Sequence, residues 1–162
     1  MFESIVAFSL GFAAIGAGLM AGVYFAFSGF IMRSFDLLGA AKATDAMNAI
    51  NEVILRSWFM ALFFGSTLLY AVLIAVTVLN TDLDGRGLLF ATGLIYVVGM
   101  FLCTALANVP LNNRLAAAGD DECAKGETWP HYFKHWTRWN HLRSVCSLAT
   151  LALSIHYLVC YA

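Results

Sequence analysis

The chain has 162 residues, of which 61% are hydrophobic and only 12% are charged. Ordinary soluble domains are roughly 45–50% apolar, so this composition excludes a typical soluble protein and indicates a membrane protein. The nine basic and ten acidic residues nearly cancel, to a formal charge of −1, which argues against a nucleic-acid partner. We therefore expect the lipid bilayer to be the main partner.

Four apolar segments are long enough to cross a bilayer, which takes about 20 helical residues. They predict an all-α fold, a four-helix transmembrane bundle with a cytoplasmic amphipathic helix between the first and second spans. The whole chain, residues 1–162, then forms one integral-membrane domain. The predicted spans are about 5–32, 58–79, 88–108 and 142–160.

The first span carries small residues at every fourth position, a ridge that consists of Ala14, Gly18, Gly22 and Ala26. Small side chains let another helix backbone approach closely. We expect this ridge to contact another helix, either within the bundle or in a second copy of the chain. Further along the span, Tyr24 and Ser28 share a helix face, where each either points inward at a ligand or bonds within the protein.

A more polar segment, GAAKATDAMNAINEVILRS, connects the first two spans. Its apolar residues recur at helical spacing, which is typical of an amphipathic helix; they are Ala43, Met47, Ile50 and Ile54. Asn48 and Asn51 lie about one turn apart on this helix and predict nothing more specific than a solvated face.

The third span ends in ALANVPLNNRL. Pro110 cannot donate a backbone N–H, so if the helix continues through it the Leu106 carbonyl loses its partner. Asn108 and Asn112 lie one turn apart on the same face. They either compensate for this kink or present their amides to a ligand.

The fourth span begins beside WTRWNHLRS, where polar and charged side chains that are unfavourable in a membrane are concentrated. We interpret 129–144 as one helix with Pro130 in its first turn, preceded by an exposed turn, AAAGDDECAKGET. One stripe of about 100° on this helix holds Trp129, Tyr132, Trp136, Trp139, Asn140 and Arg143. An aromatic stripe is typical of an interfacial belt, but Asn140 and Arg143 need polar partners in a membrane. A ligand-facing stripe and a structural one both remain open.

The basic residues predict the orientation. With four spans, the first and third connections share one side of the membrane. Those connections and their flanks hold every lysine and arginine except Arg86, so the positive-inside rule predicts that both long connections are cytoplasmic and both termini outside. We expect an integral protein of the bacterial inner membrane.

The four cysteines form no CxxC pair and share no spacing with histidines that is typical of a zinc or iron–sulfur site. We expect free thiols. The N-terminus opens with Glu3 rather than a basic cluster, and its apolar run is too long for the core of a signal peptide. We expect the first segment to remain as a membrane anchor.

The stretches YFAFSGFIM, AMNAIN, NVPLNNRL and WTRWNH, in this order on a four-span chain of this length, resemble the anthrone oxygenase-like family of small membrane proteins. The resemblance covers about Gly11 to Leu158 and is most specific at NVPLN and WTRWNH. One difference is that Arg56, Ser57 and Trp58 stand where we expect an Asn-Pro pair. The resemblance implies oxygenation of an anthrone to an anthraquinone, with O2 as co-substrate and, in some members, no flavin, haem or metal.

That chemistry requires a base, donors for an oxyanion and an apolar pocket. The candidate base is His141, although on a regular helix it faces away from the Trp136 stripe unless the helix is distorted near Thr137. The candidate oxyanion donors are Asn108, Asn112, Asn140 and Tyr24. The candidate substrate-binding residues are Tyr24, Trp136, Trp139 and Arg143.

Three functions stay open at this point. The first is an enzyme that oxidises a planar phenolic or quinol-type aromatic taken from the bilayer. The second is a non-catalytic membrane subunit or lipid- or quinone-binding protein, acting as a homo-oligomer or with a partner subunit, in which the Asn and Trp side chains pack solidly. The third is a metal enzyme, which would bring His131, His135 or His141 together with Asp36, Asp45 or Glu52.

Overall fold

The structure, a computed structural model, describes residues 2–161 and is helical throughout, with short turns. Four of its helices are long and apolar enough to cross a membrane, which confirms the predicted bundle and makes the chain an integral membrane protein. A shorter helix lies between the first two spans, as predicted. The helices are α1 Phe2–Asp36, α2 Ala40–Ile54, α3 Trp58–Leu79, α4 Arg86–Ala116 and α5 Glu122–Cys160.

The four long helices form a ring in which α1 packs against α3 and α5, and α4 packs against the same two helices. The buried positions of α1 are three or four residues apart, a spacing typical of helices that cross at a small angle in a bundle. These positions include Val6, Leu10, Ala13, Ala17, Met20 and Tyr24. We call the end of the bundle beside α2 the α2 end, and the end beside the short α3–α4 connection the turn end.

The small-residue ridge predicted on α1 lies only partly at a helix contact. A Cβ at Gly18 would lie 3.5 Å from Leu151, but one at Gly22 would meet no atom within 4 Å, so the contact predicted within the bundle is absent at Gly22. The close approach occurs instead at Gly16, where a Cβ would lie 2.6 Å from the Ser66 Cβ. A strict four-residue repeat drifts around a helix that has 3.6 residues per turn, and therefore leaves the contact face.

Helix α4 runs through Pro110 and ends at Ala116, well beyond the predicted end of the third span. It widens into π-helical turns at Val97–Leu102 and Thr104–Asn108, and the Val109 N–H donates to the Thr104 carbonyl. Such a turn accommodates an extra residue and rotates the helix beyond it, and π-helical turns are frequent at functional sites. The loss of the hydrogen bond that Pro110 cannot donate therefore does not end the helix, because the turns before it are π-helical.

Helix α5 begins earlier than predicted, at Glu122. The Asp121 carboxylate caps it by accepting a hydrogen bond from the Cys123 N–H at 2.9 Å, as expected for aspartate at this position. Pro130 therefore lies inside the helix rather than in its first turn. The exposed turn predicted over 116–128 is correspondingly shorter, because its second half is helical.

Helix α2 lies across one end of the bundle with its apolar face inward. Ala43 and Met47 are buried in a cluster with Trp129 of α5. Lys125 of α5 forms an ion pair with Asp45 at 2.7 Å. This packing confirms the amphipathic interpretation and places α2 as a cover over the α2 end.

Candidate functional site

A cavity of about 340 Å³ lies at the α2 end, among all five helices. Its volume is within the range of about 300–1,000 Å³ that small-molecule sites occupy. The walls are mainly aromatic and aliphatic, and include Phe27, Phe59, Phe63, Phe101 and Trp136. Of the residues singled out in the sequence, the lining includes Tyr24, Asn108, Asn112, Trp136 and Arg143.

Arg143 supplies the charge at this site. It is buried, and its guanidinium lies 4.3 Å from the centre of the Tyr24 ring and 5.1 Å from that of the Trp136 ring. Its Nη2 donates to Asn140 Oδ1 at 2.7 Å and its Nη1 to Thr104 Oγ1 at 3.3 Å. Neither ion pair found among residues 2–161 includes Arg143. A buried cation without a carboxylate partner favours the arrival of an anion.

Asn140 is fully buried but stands behind Arg143 rather than in the cavity wall. Its Nδ2 donates to the Tyr24 carbonyl at 2.6 Å and to Ser28 Oγ at 2.7 Å. Both acceptors belong to α1: Tyr24 lies just before its π-helical turn Phe27–Ile31, and Ser28 lies within that turn. Asn140 therefore joins α5 to α1 and holds the guanidinium of Arg143, and it does not itself line the cavity.

The other two predicted asparagines hold α4 against its neighbours. Asn108 Nδ2 donates to the Trp136 carbonyl at 3.3 Å. Asn112 donates to Asn51 Oδ1 of α2 at 3.1 Å and accepts from the Tyr132 hydroxyl of α5 at 2.9 Å. Asn51, which the sequence suggested only as part of a solvated face, is thus half-buried and lines the cavity.

Several buried polar atoms around the cavity have no hydrogen-bond partner in the protein. Four of them belong to lining residues: Asn51 Nδ2, Asn108 Oδ1, Trp136 Nε1 and Arg143 Nε. Leaving such an atom unpaired costs about 1–3 kcal/mol, so the folded protein gains when a polar ligand or water satisfies it. Three donors and one acceptor beside aromatic walls suit a flat molecule with polar oxygen atoms on its edge.

Two predicted site residues lie away from the cavity. His141 is exposed on the opposite face of α5, and Trp139 is 40% exposed and does not line the cavity. The distortion near Thr137 that would turn His141 inward is not found, because α5 is a continuous α-helix. The structure therefore does not place His141 or Trp139 in the cavity, where the predicted base and stacking wall would stand.

The residues suggested for a metal site do not converge. His131 and His135 stack on each other with ring centres 4.3 Å apart, and Asp36 instead accepts from Trp129 Nε1 at 3.0 Å. Within residues 2–161 there is no group of three or more His, Cys, Asp or Glu side chains placed to hold a metal ion. The four cysteines are free thiols.

Sequence reasoning missed part of the lining. Thr104 was not singled out, although it follows the first π-helical turn of α4 and bonds Arg143. Phe59 and Phe63 of α3 form an aromatic wall, but nothing distinguishes them in sequence from other apolar residues of a span. The sequence indicated the position of Asn51 only weakly, since it is an amide on the edge of an apolar helix face.

Comparison with known proteins identifies the family of this chain. The family model described as anthrone oxygenase matches residues 55–153, more than half of the chain, from just before α3 to the last turns of α5. The matched segment includes Asn108, Asn112, Trp136 and Arg143, which line the cavity. No curated protein and no solved structure matches the chain. The extent of the family match shows that the chain belongs to the anthrone oxygenase family.

Proposed function

We propose that this protein oxidises an electron-rich planar aromatic with O2, an anthrone or a related phenol, in the cavity at the α2 end. The observation that carries the proposal is the buried Arg143, which has no carboxylate partner and stands among unpaired donors and aromatic walls. Family membership supports an oxygenase-like role. A flat anionic aromatic would satisfy these features together.

The proposed reaction starts when the activated methylene carbon of the anthrone loses a proton and an enolate forms. The enolate passes one electron to O2, and the resulting carbon radical and superoxide combine through a new C–O bond. The peroxide anion takes up a proton, and the hydroperoxide loses water as the carbon becomes a carbonyl. In balance, anthrone and O2 give anthraquinone and water, so O2 is the co-substrate.

The lining residues include a cation that can stabilise the enolate, but no side chain suited to act as the base that forms it. Among the residues found to line the cavity, Arg143 alone carries a formal charge, and none is a histidine, aspartate or glutamate. A nearby positive charge favours the ionised form of an acid. We therefore assign no side chain as base: the substrate loses its proton to water, and Arg143 Nε donates to the enolate oxygen.

The test is turnover by the purified protein. Protein in detergent is mixed with anthrone in air, quinone formation is followed by absorbance, and isotopically labelled O2 identifies the origin of the new oxygen atom. We expect a rate above the spontaneous one. Arg143→Gln should lower kcat by about 10²–10³, the usual cost of losing an oxyanion-stabilising group.

Arg138→Gln is the matched control, because Arg138 is exposed on the same helix and does not line the cavity; it should keep the wild-type rate. A wild-type rate equal to the background, or an undiminished rate in a folded Arg143→Gln variant, would contradict the enzymatic proposal. If anthraquinone still quenched tryptophan fluorescence in that case, the non-catalytic ligand-binding function would replace it.

A further inference from the structure

We infer that the molecule bound in the cavity enters sideways from the bilayer, through a gap between α3 and α4 at the α2 end. This inference depends on the proposed function only for the identity of that molecule, since the gap is a property of the fold. Its support comes from the divergence of the two helices, the exposure of the cavity rim, and the cover that α2 forms on the other side.

Helices α3 and α4 diverge from the turn end towards the α2 end. Near the turn end they approach so closely that a Cβ at Gly93 would lie 2.7 Å from Ile74 Cγ1 and 3.1 Å from the Tyr70 carbonyl oxygen. Beyond its first π-helical turn, α4 packs against α5 and α2 and has no extensive contact with α3. The cavity occupies the space that this divergence opens.

The part of the cavity rim formed by Phe64 of α3 and Val109 of α4 is apolar and faces outward. Phe64 of α3 is 54% exposed and Val109 of α4 is 42% exposed, yet both line the cavity. Trp58, at the start of α3, is 90% exposed, as is typical of a tryptophan at the membrane interface. Phe64 lies about 9 Å further along the helix at 1.5 Å per residue, which places the rim at the depth of the outer acyl chains.

The opposite side of the cavity is covered. Met47, Ile50, Asn51 and Ile54 of α2 form part of the wall there. The ion pair between Asp45 and Lys125 and the hydrogen bond between Asn51 and Asn112 hold α2 in place. Helix α2 thus stands between this part of the cavity and water, whereas a molecule dissolved in lipid meets an apolar opening beside Phe64 and Val109.

Cysteine labelling in lipid vesicles tests this route without requiring any turnover. The target is Thr104→Cys, whose side chain lines the cavity, in a background without the four native cysteines. The probes are pyrene maleimide, which partitions into lipid, and a charged thiosulfonate, which stays in water. Native Cys123, exposed at the start of α5, is kept in a separate variant as the reference for aqueous labelling.

We expect pyrene maleimide to label the cavity cysteine and the charged reagent to label it far more slowly than Cys123. Adding Val109→Trp should slow the maleimide by about tenfold or more, which is about 1.4 kcal/mol in the barrier, because the larger side chain narrows the opening. Leu106→Trp is the control, since Leu106 is 75% exposed on the same helix but does not line the cavity.

Equal maleimide rates in the two folded tryptophan variants would overturn the lateral route. So would charged-reagent labelling of Thr104→Cys as fast as that of Cys123, which would instead indicate a path past α2. Either result leaves the proposed oxidation standing, because the anthrone assay in detergent does not depend on the route. Conversely, selective blocking by Val109→Trp would support the gap even in a protein that turns over no anthrone.

Discussion

The two ends of the bundle differ in how many of their buried polar groups have hydrogen-bond partners. Towards the turn end they are paired: Ser66 bonds Tyr96 at 2.8 Å, and Tyr70 bonds Ser154 at 2.9 Å. At the α2 end, unpaired buried atoms occur on α2, α4 and α5, and two more lie further along α5, on Ser147 and Thr150. An unpaired buried polar atom lowers the free energy of unfolding. The polar groups of the α2 end therefore stabilise the fold less than those towards the turn end.

Packing follows the same division. The glycine at position 93 lets α3 and α4 touch near the turn end, whereas the π-helical turns of α4 accompany a cavity of about 340 Å³ at the α2 end. Tight packing with satisfied polar groups is what a membrane bundle needs for stability. A cavity with unsatisfied groups contributes nothing to stability, which is consistent with the binding function proposed for the α2 end.

Among the variants that test this comparison, the largest expected effect comes from Asn140→Ala. Without its side chain, Arg143 loses an acceptor at 2.7 Å and α5 loses its amide contacts with α1. Anthrone turnover should fall by about 10²–10³, while circular dichroism stays native. His141→Ala, one residue further on the exposed face, should keep full activity; a loss there would restore His141 as a candidate base.

A smaller effect, on stability, is expected from Gly93→Leu. The added side chain meets Ile74 and the Tyr70 carbonyl, and overpacking of this kind costs about 1–3 kcal/mol. Thermal unfolding in detergent should shift to lower temperature. Gly65→Leu on α3, where a Cβ would meet nothing within 4 Å, should leave the transition unchanged, and equal losses would show that the close contact is not what matters.

The smallest effect is expected from Trp136→Phe, which keeps an aromatic wall but removes the unpaired Nε1 donor. One hydrogen bond contributes about 0.5–1.5 kcal/mol, so KM for anthrone should rise about two- to tenfold with little change in stability. Trp139→Phe, outside the cavity, should change neither quantity. An unchanged KM in Trp136→Phe would mean that the indole N–H does not reach the substrate.

Much of the α2 end could be predicted from sequence, and the failures have particular causes. The stripe on α5 is predicted correctly at Trp136 and Arg143, because one regular helix fixes their relative directions. The same regularity already places His141 on the other face, and the structure keeps it there. The ridge meets no helix of the bundle at Gly22, because a repeat of small residues does not say which side of a helix a neighbour will occupy.

Hydropathy and helical periodicity are enough to predict four spans, an amphipathic cover and a polar stripe, because both depend only on the order of residues. The packing of the helices decides that Asn140 fixes Arg143 from behind, that Asn51 crosses from α2 to meet Asn112, and that α3 and α4 separate at one end. Those outcomes depend on how helices distant in sequence pack and on where α4 takes up its π-helical turns. No local pattern encodes them, since each contact joins side chains whose spacing along the chain is unrelated to their distance in space.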